Sequence, residues 1–134
     1  MLHNFEHVGV ACSNIVKSVE FYCDYLGMKV LQDEKTAEGG RVVILDANGG
    51  GLELISSPGI INTPAPLLPD SSAGIRHFSF AILDMKKTVD FLKSQGVIFT
   101  EEPRAPKRMK NATLIAFCKD PDGNLVEFIE RPIK

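Results

Sequence analysis

Two histidines stand at matching points of the sequence, each at the start of a short apolar run. His7 opens HVGVA, and His77 opens HFSFAI 70 positions later. Two glutamates also lie inside apolar runs, Glu53 in LELI and Glu127 in VEFI. An ionised carboxylate in an apolar strand is costly to bury unless it is paired or binds a metal. Two imidazoles and two carboxylates suit one divalent ion (Ni, Co, Mn, Fe or Zn), and octahedral geometry leaves two positions open.

The four residues belong to an internal repeat. HVGVACSNIVKSVEFYCDYLGMKV aligns with HFSFAILDMKKTVDFLKSQGVIF, and each copy predicts a strand, a helix and a second strand. The predicted helix caps are Ser13 or Asn14 with Gly27 in the first copy, and Asp84 with Gly96 in the second. The predicted apolar stripes are Ile15, Val19, Tyr22 and Leu26, and then Met85, Val89 and Leu92.

Further strands follow each helix, so each half is predicted as βαβββ and the fold class as α+β. The predicted strands are MKVLQDE, RVVILDA and GLELIS in the first half, and VIFTEE, ATLIAFCKD and NLVEFIE in the second. We therefore expect one domain over residues 1–134, with a first module at 1–57, a Pro-rich linker at 58–74 and a second module at 75–134.

Strand alternation predicts that each histidine shares its face with small residues only, which leaves room for a ligand. These are Gly9 and Ala11 beside His7, and Ser79 and Ala81 beside His77. Taken singly, a strand histidine is more often structural and a strand glutamate more often faces solvent; the shared register of the repeat favours a metal site. We expect His3 to be a surface residue, Arg76 to point away from His77, and Glu6 and Glu130 to face elsewhere or to lie at strand ends.

A basic segment forms a second candidate. EEPRAPKRMKN, residues 101–111, is predicted to be irregular; it is either a solvated loop or a flap that meets anionic parts of a substrate through Arg104, Lys107, Arg108 and Lys110. Cys118 is expected to be a core thiol and not a nucleophile, because no histidine is predicted beside it.

Composition excludes several classes of protein. The net charge is −2, so neither nucleic acid nor an anionic membrane attracts the chain in bulk. No apolar run reaches the roughly 18 residues of a membrane span, and the first residues do not resemble a signal peptide. Three scattered cysteines suit a reducing compartment, so we expect a cytoplasmic protein.

The sequence resembles the vicinal oxygen chelate superfamily, also called the glyoxalase/bleomycin resistance/dioxygenase fold, over nearly all of its length. The motifs that carry the resemblance are HVGV, FYCDYLGMKVL, LELI, RHFSFAI and DPDGNLVEFIE, and the LGM and DPDG segments are most similar to glyoxalase I. The resemblance implies two βαβββ modules that form a curved mixed sheet around a metal cleft, often in a homodimer. Whether one chain or two would complete a site stays open.

The resemblance also implies the site and its chemistry. By motif the metal ligands are His7, Glu53, His77 and Glu127, with Ni, Zn or Co expected first and Mn or Fe next. Glu127 is the expected base and Glu53 mainly a ligand. The implied reaction is that of a lactoylglutathione lyase, which converts the hemithioacetal of an α-oxoaldehyde such as methylglyoxal into an S-2-hydroxyacyl thiol through an enediolate.

Two departures concern the substrate carrier. Ala11 stands where many bacterial glyoxalase I sequences have an arginine, and residues 56–58 read SSP where they have an asparagine that helps to hold glutathione. The alternatives are therefore an enzyme similar to methylmalonyl-CoA epimerase, in which Gln is more usual than Glu at position 53, and a metal-free drug-binding resistance protein, against which the four ligand-type residues argue.

Overall fold

The structure of the protein is a computed structural model that describes residues 1–61 and 71–133. The chain forms two compact units, Met1–Thr63 and Pro64–Lys134. Each unit contains a four-stranded mixed sheet with one helical region, which confirms the α+β class and the predicted βαβββ order. Most of the predicted linker, at residues 62–70, lies outside the described residues.

The first unit has the sheet order β1-β4-β3-β2, with β1 parallel to β4 and the other pairs antiparallel. Its elements are β1 His7–Ala11, α1 Ile15–Val19, a π-helical segment Glu20–Tyr25, β2 Lys29–Lys35, β3 Arg41–Asp46 and β4 Gly51–Ser56.

The second unit repeats this topology in the order β5-β8-β7-β6, with β5 parallel to β8. Its elements are β5 Phe78–Ile82, α2 Met85–Ser94, β6 Phe99–Arg104, β7 Leu114–Lys119 and β8 Leu125–Glu130. The strands β5, β8, β7 and β6 of the second unit thus correspond to β1, β4, β3 and β2 of the first.

The predicted caps are present in both units. The Asn14 side chain accepts a hydrogen bond from the backbone N–H of Lys17 at 3.2 Å, and Asp84 accepts one from the N–H of Lys87 at 2.9 Å. Gly27 has a φ of 79°, in the left-handed region that ends helices. The caps therefore set where each helical region begins or ends.

The helical region of the first unit departs from the predicted stripe. The backbone N–H of Leu26 bonds to the carbonyl of Phe21 at 3.2 Å, five residues back, as in a π-helix. Ile15 and Tyr22 are buried as predicted, whereas Val19 and Leu26 are only half-buried. Within the wider turn, Phe21 is buried although it was not part of the predicted stripe. In the second unit, which has no such segment among its described residues, the predicted residues of α2 are all buried, namely Met85, Val89 and Leu92.

One face of each sheet is closed by the apolar core of its own unit, and the other face carries the candidate site. In the first unit the core face includes Val10, Val43, Leu45, Leu52 and Leu54, all at most 5% exposed. In the second it includes Ala116, Cys118, Val126 and Phe128, all 0% exposed. Besides His7, the opposite face of β1 and β5 carries the small residues predicted there, all of them exposed: Gly9, Ala11, Ser79 and Ala81.

Two strand boundaries differ from the prediction. β6 continues through Pro103 to Arg104, beyond the predicted end of the strand VIFTEE at Glu102 and into the segment that was expected to be irregular. Because β6 is the edge strand of its sheet, a proline that lacks an N–H does not break a ladder between two neighbours. β5 begins at Phe78, so His77 precedes the strand that it was expected to open.

None of the helices within residues 1–61 and 71–133 is long and apolar enough to span a membrane.

Candidate functional site

In the first unit, His7 and Glu53 meet across the parallel pair of β1 and β4. Gly9 lies opposite Glu53 in the register, and His7 is two residues earlier on the same face. The imidazole Nε2 of His7 is 3.1 Å from Oε2 of Glu53. The pairing of the first and last strands of the unit therefore brings the two predicted residues together.

In the second unit, His77 and Glu127 meet in the same way. Ser79 lies opposite Glu127 in the parallel pair of β5 and β8, and His77 is again two residues earlier. The Nε2 atom of His77 is 3.2 Å from Oε2 of Glu127. The repeat thus builds the same imidazole–carboxylate pair twice, at the same register position of the same strand pair.

The environments of the two carboxylates differ. The Glu53 side chain is 30% exposed, whereas that of Glu127 is 5% exposed. Phe117 lies opposite Glu127 on β7, and its ring packs edge-on against His77 with 5.4 Å between the ring centroids. Burial of Glu127 without a partner would cost several kcal/mol, on the order of a desolvated polar group or more, so its contact with His77 is essential to its placement.

The donor atoms fit a divalent metal ion. Each pair turns an imidazole nitrogen and a carboxylate oxygen toward one another, and both are donors that such ions accept. Among the described residues, however, no group of three or more His, Cys, Asp or Glu side chains is arranged to hold a metal. The structure thus supports two His–Glu pairs, and the four-ligand site stays a prediction.

Glu6 and Glu130 both make contacts that their sequence positions did not predict. An Oε2 atom of Glu6 contacts Nδ1 of His7, the ring nitrogen that faces away from Glu53. Glu130 accepts a hydrogen bond at 2.6 Å from the backbone N–H of Met85, the first residue of α2. Glu6 immediately precedes β1 and Glu130 ends β8, so both lie at strand ends, one of the two expected placements. The contact of Glu6 with His7 was not predicted, and Glu130 stabilises a helix N-terminus.

A cavity of about 390 Å³ in the first unit lies beside His7. This is within the size range of small-molecule sites, roughly 300–1,000 Å³. Its lining combines apolar, acidic and backbone groups from the start of β1, from β2 and β3 and from the turn before β4, including Phe5, Glu6, Leu31, Ile44, Asp46 and Gly50. The only signal of such a cavity in the sequence is the run of glycines at 49–51.

The basic segment divides into two parts. Arg104 is on β6, and its guanidinium donates two hydrogen bonds to Oε2 of Glu101, at 2.6 and 2.9 Å. Lys107, Arg108 and Lys110 are exposed, whereas Met109 between them packs on Ile115, Phe117 and Ile129, a cluster on the face that carries Glu127. The exposed cations therefore belong to a segment that one apolar side chain attaches to the site-bearing face.

Cys118 lies on the opposite, core face of β7. Its side chain is fully buried, and desolvation, reinforced by the charge of Asp120, raises the pKa of the thiol to about 12. A thiol with so high a pKa is almost entirely protonated near neutral pH and is a poor nucleophile. Cys118 is thus the core thiol that the sequence predicted.

Comparisons with known proteins agree with this architecture. Residues 4–128 match the model of the Glyoxalase/Bleomycin resistance protein/Dioxygenase superfamily. The chain is 33% identical to the Uncharacterized protein YwkD of Bacillus subtilis, over 98% of this chain and 99% of that protein. It is 28% identical to a Probable lactoylglutathione lyase of Vibrio cholerae, over 96% of this chain and 91% of that protein.

Among solved structures, glyoxalase I from Zea mays matches with a TM-score of 0.78 and 25% identity, over 98% of this chain and 46% of the maize chain. A duplicated βαβββ unit with an imidazole–carboxylate pair in each copy, together with these matches, defines the class. The protein belongs to the glyoxalase/bleomycin resistance/dioxygenase superfamily.

Proposed function

We propose that the protein is a metal-dependent enzyme similar to glyoxalase I, acting on the hemithioacetal of an α-oxoaldehyde and a thiol. The observation that carries this proposal is the pair of imidazole–carboxylate contacts, 3.1 and 3.2 Å long, at equivalent positions of the two units. A binding protein without metal has no need of a carboxylate beside a histidine in each half, and burial of the Glu127 carboxylate costs desolvation energy. Relatives named as lactoylglutathione lyases support the same reaction.

In this proposal the four residues of the two pairs, His7, Glu53, His77 and Glu127, hold one divalent ion. Ni, Zn or Co is expected first, and Mn or Fe next. When bound, the ion supplies a Lewis acid that polarises the neighbouring oxygens of the substrate and lowers the pKa of its carbon acid. The protein contributes the ligands, and homodimerisation is part of the proposal.

Glu127 is the proposed base. It takes the proton from the carbon that bears the sulfur and the hydroxyl, and returns it to the adjacent carbonyl carbon. The hydroxyl proton is passed to the former carbonyl oxygen, so the product is an S-2-hydroxyacyl thioester with the same atoms as the substrate. Because the Glu127 side chain is only 5% exposed, bulk water has little access to the proton that it holds. Glu53, which is more exposed, is proposed mainly as a ligand.

The substrate is proposed to extend from His7 into the neighbouring cavity. Lys107, Arg108 and Lys110 are proposed to meet anionic groups of the thiol carrier, because their side chains are exposed while Met109 attaches their segment to the face of Glu127. Arg104 is less suited to this task, since Glu101 already accepts two of its hydrogen bonds.

An epimerase acting on a CoA thioester is the second candidate. Ala11 favours it, because this exposed, small side chain stands where a glutathione-binding arginine is found in many relatives. In such an enzyme the proton would be returned to the same carbon from the opposite face.

The test begins with metal analysis of the purified protein. One divalent ion per chain is expected. His77→Ala and Glu53→Gln are expected to lose the metal, while Glu102→Gln, which removes an exposed carboxylate paired with Lys93, serves as the matched control. Stoichiometric metal in both site variants would contradict the proposed site.

The activity is then assayed with the metal-loaded protein. The expected product from methylglyoxal and glutathione is the S-lactoyl thioester. Absence of this product with Ni, Co and Zn, together with deuterium exchange into methylmalonyl-CoA in heavy water, would favour the epimerase instead. The three cysteines are present as thiols, which fits the cytoplasmic location that we propose.

A further inference from the structure

Glu6 lies outside the four residues of the proposed site, yet its carboxylate contacts His7. Oε2 of Glu6 meets Nδ1 of the ring, while Nε2 on the other side is 3.1 Å from Glu53. The two carboxylates therefore approach opposite nitrogens of one imidazole. A histidine that binds a metal through one nitrogen usually donates the N–H of the other to a carboxylate or carbonyl, which fixes the tautomer and the orientation of the ring.

We infer that Glu6 is a positioning residue for His7: it accepts the Nδ1–H hydrogen bond and leaves the Nε2 lone pair for the proposed metal, on the side of the ring where Glu53 lies. This inference deepens the proposed function and rests on it for the role of the metal. In this assignment Glu6 does not touch the metal, and it acts on the metal only through the His7 ring.

The backbone that carries Glu6 is held close to the end of the β3–β4 turn. The N–H of Gly51 donates to the carbonyl of Glu6 at 2.8 Å, which continues the contact between the β1 and β4 segments by one residue. A Cβ on Gly50 would lie 2.7 Å from Cδ1 of Phe5, so the glycine allows the segment before β1 to approach the turn. The Glu6 carboxylate is thus attached to a backbone position that the sheet itself fixes.

The second unit treats its histidine differently. Arg76 stands at the position equivalent to Glu6, and its guanidinium donates to the carbonyl of Ser72 at 2.9 Å. The His77 ring instead packs against the ring of Phe117. The contact of Glu6 is therefore a feature that distinguishes the His7 half of the repeat, and it predicts that removing Glu6 affects only one of the two imidazole ligands.

The first test measures the affinity for Zn²⁺ alone by competition with a chromophoric chelator. Glu6→Ala is expected to weaken binding by about 10- to 100-fold. Glu6→Gln keeps an oxygen that accepts the Nδ1–H, so it is expected to restore most of the affinity. Glu38→Ala removes an exposed carboxylate from the turn after β2 and is the control for loss of one negative charge. Unchanged affinity in Glu6→Ala, or Glu6→Gln as weak as Glu6→Ala, would overturn the inference.

The second test needs no metal, so it separates this inference from the proposed function. The Glu53→Ala protein lacks the competing carboxylate, and nitrogen NMR above the titration range of histidine reports which nitrogen of neutral His7 carries the proton. We expect Nδ1–H in Glu53→Ala, and a shift toward Nε2–H when Glu6→Ala is added. The same tautomer in both proteins would refute the positioning role. If the wild-type protein binds no Zn²⁺, the proposed function is refuted, but the NMR result still shows whether Glu6 accepts the Nδ1–H hydrogen bond.

Discussion

Exchanging Glu127 for glutamine is expected to make the metal-free protein more stable while it removes the proposed activity. The side chain is 5% exposed, and its Oε2 atom lies 3.2 Å from Nε2 of His77. Val126 and Phe128 on either side of it in β8 are fully buried. Glutamine has nearly the same volume and keeps an oxygen for the histidine, but it no longer requires desolvation of a negative charge.

The magnitude follows from this burial. Desolvation of a buried charge can cost more free energy than its contact with a partner returns. For a glutamine that retains the hydrogen bond we expect about 1 to 2 kcal/mol, or a rise of about 4 to 8 °C in Tm. Glu53→Gln is the matched control at the equivalent register position. Its side chain is 30% exposed, so the free energy of unfolding should change by less than about 0.5 kcal/mol.

The assay is thermal unfolding of both variants and the wild type in the presence of a chelator, at a pH above the usual range of histidine titration. The same proteins are then tested for metal content and turnover, and both variants are expected to lose them. A Tm of Glu127→Gln that is lower than that of the wild type, or raised no more than that of Glu53→Gln, would refute the reasoning from burial. Retained turnover in Glu127→Gln would refute its assignment as the base.

Three further changes test the fold around the site. Gly40→Ala should lower the free energy of unfolding by about 1 to 3 kcal/mol in urea titrations, because the added Cβ would lie 2.3 Å from the carbonyl oxygen of Ser56. Gly9→Ala is the control: its added Cβ has its nearest contact at 3.8 Å, so the free energy of unfolding should be nearly unchanged. Glu130→Ala should cost about 1 kcal/mol in the same measurement by removing the acceptor at the α2 N-terminus; no loss would show that water replaces the carboxylate. Burial raises the pKa of Cys118 to about 12 from 9.0, so between these values the thiol stays protonated in the folded chain but ionises in the unfolded chain. The free energy of unfolding should therefore fall as the pH rises from 9 to 12, and Cys118→Ala should show a shallower fall.

Much of the fold could be predicted because it depends on local patterns. Alternation of small and bulky residues placed His7 on the face opposite Val10, and the cap residues Asn14 and Asp84 marked the starts of the helices. The repeat supplied the rest, since a second copy of the same pattern showed that Glu127 belongs with His77 as Glu53 belongs with His7.

Other features could not be predicted because they depend on contacts distant in sequence or on small changes in helix geometry. A stripe with a period of 3.6 residues assumes a regular α-helix, so it missed the π-helical turn that buries Phe21 and leaves Leu26 half-buried. The contact of Glu6 with His7 lies before β1, where strand alternation gives no side-chain direction. Residues 101–111 were predicted to be irregular, although Pro103 and Arg104 belong to β6, an edge strand in which a proline is tolerated.

The division of each sheet into a core face and a site face has a consequence for how new specificities arise. Side chains at alternate positions of β1 and β5 point to opposite faces, so Gly9, Ala11, Ser79 and Ala81 can change without altering the buried positions between them. Randomising these four codons together should yield libraries in which most members still fold. Selection for a new substrate could then act on the chemistry of the site with little penalty from lost stability.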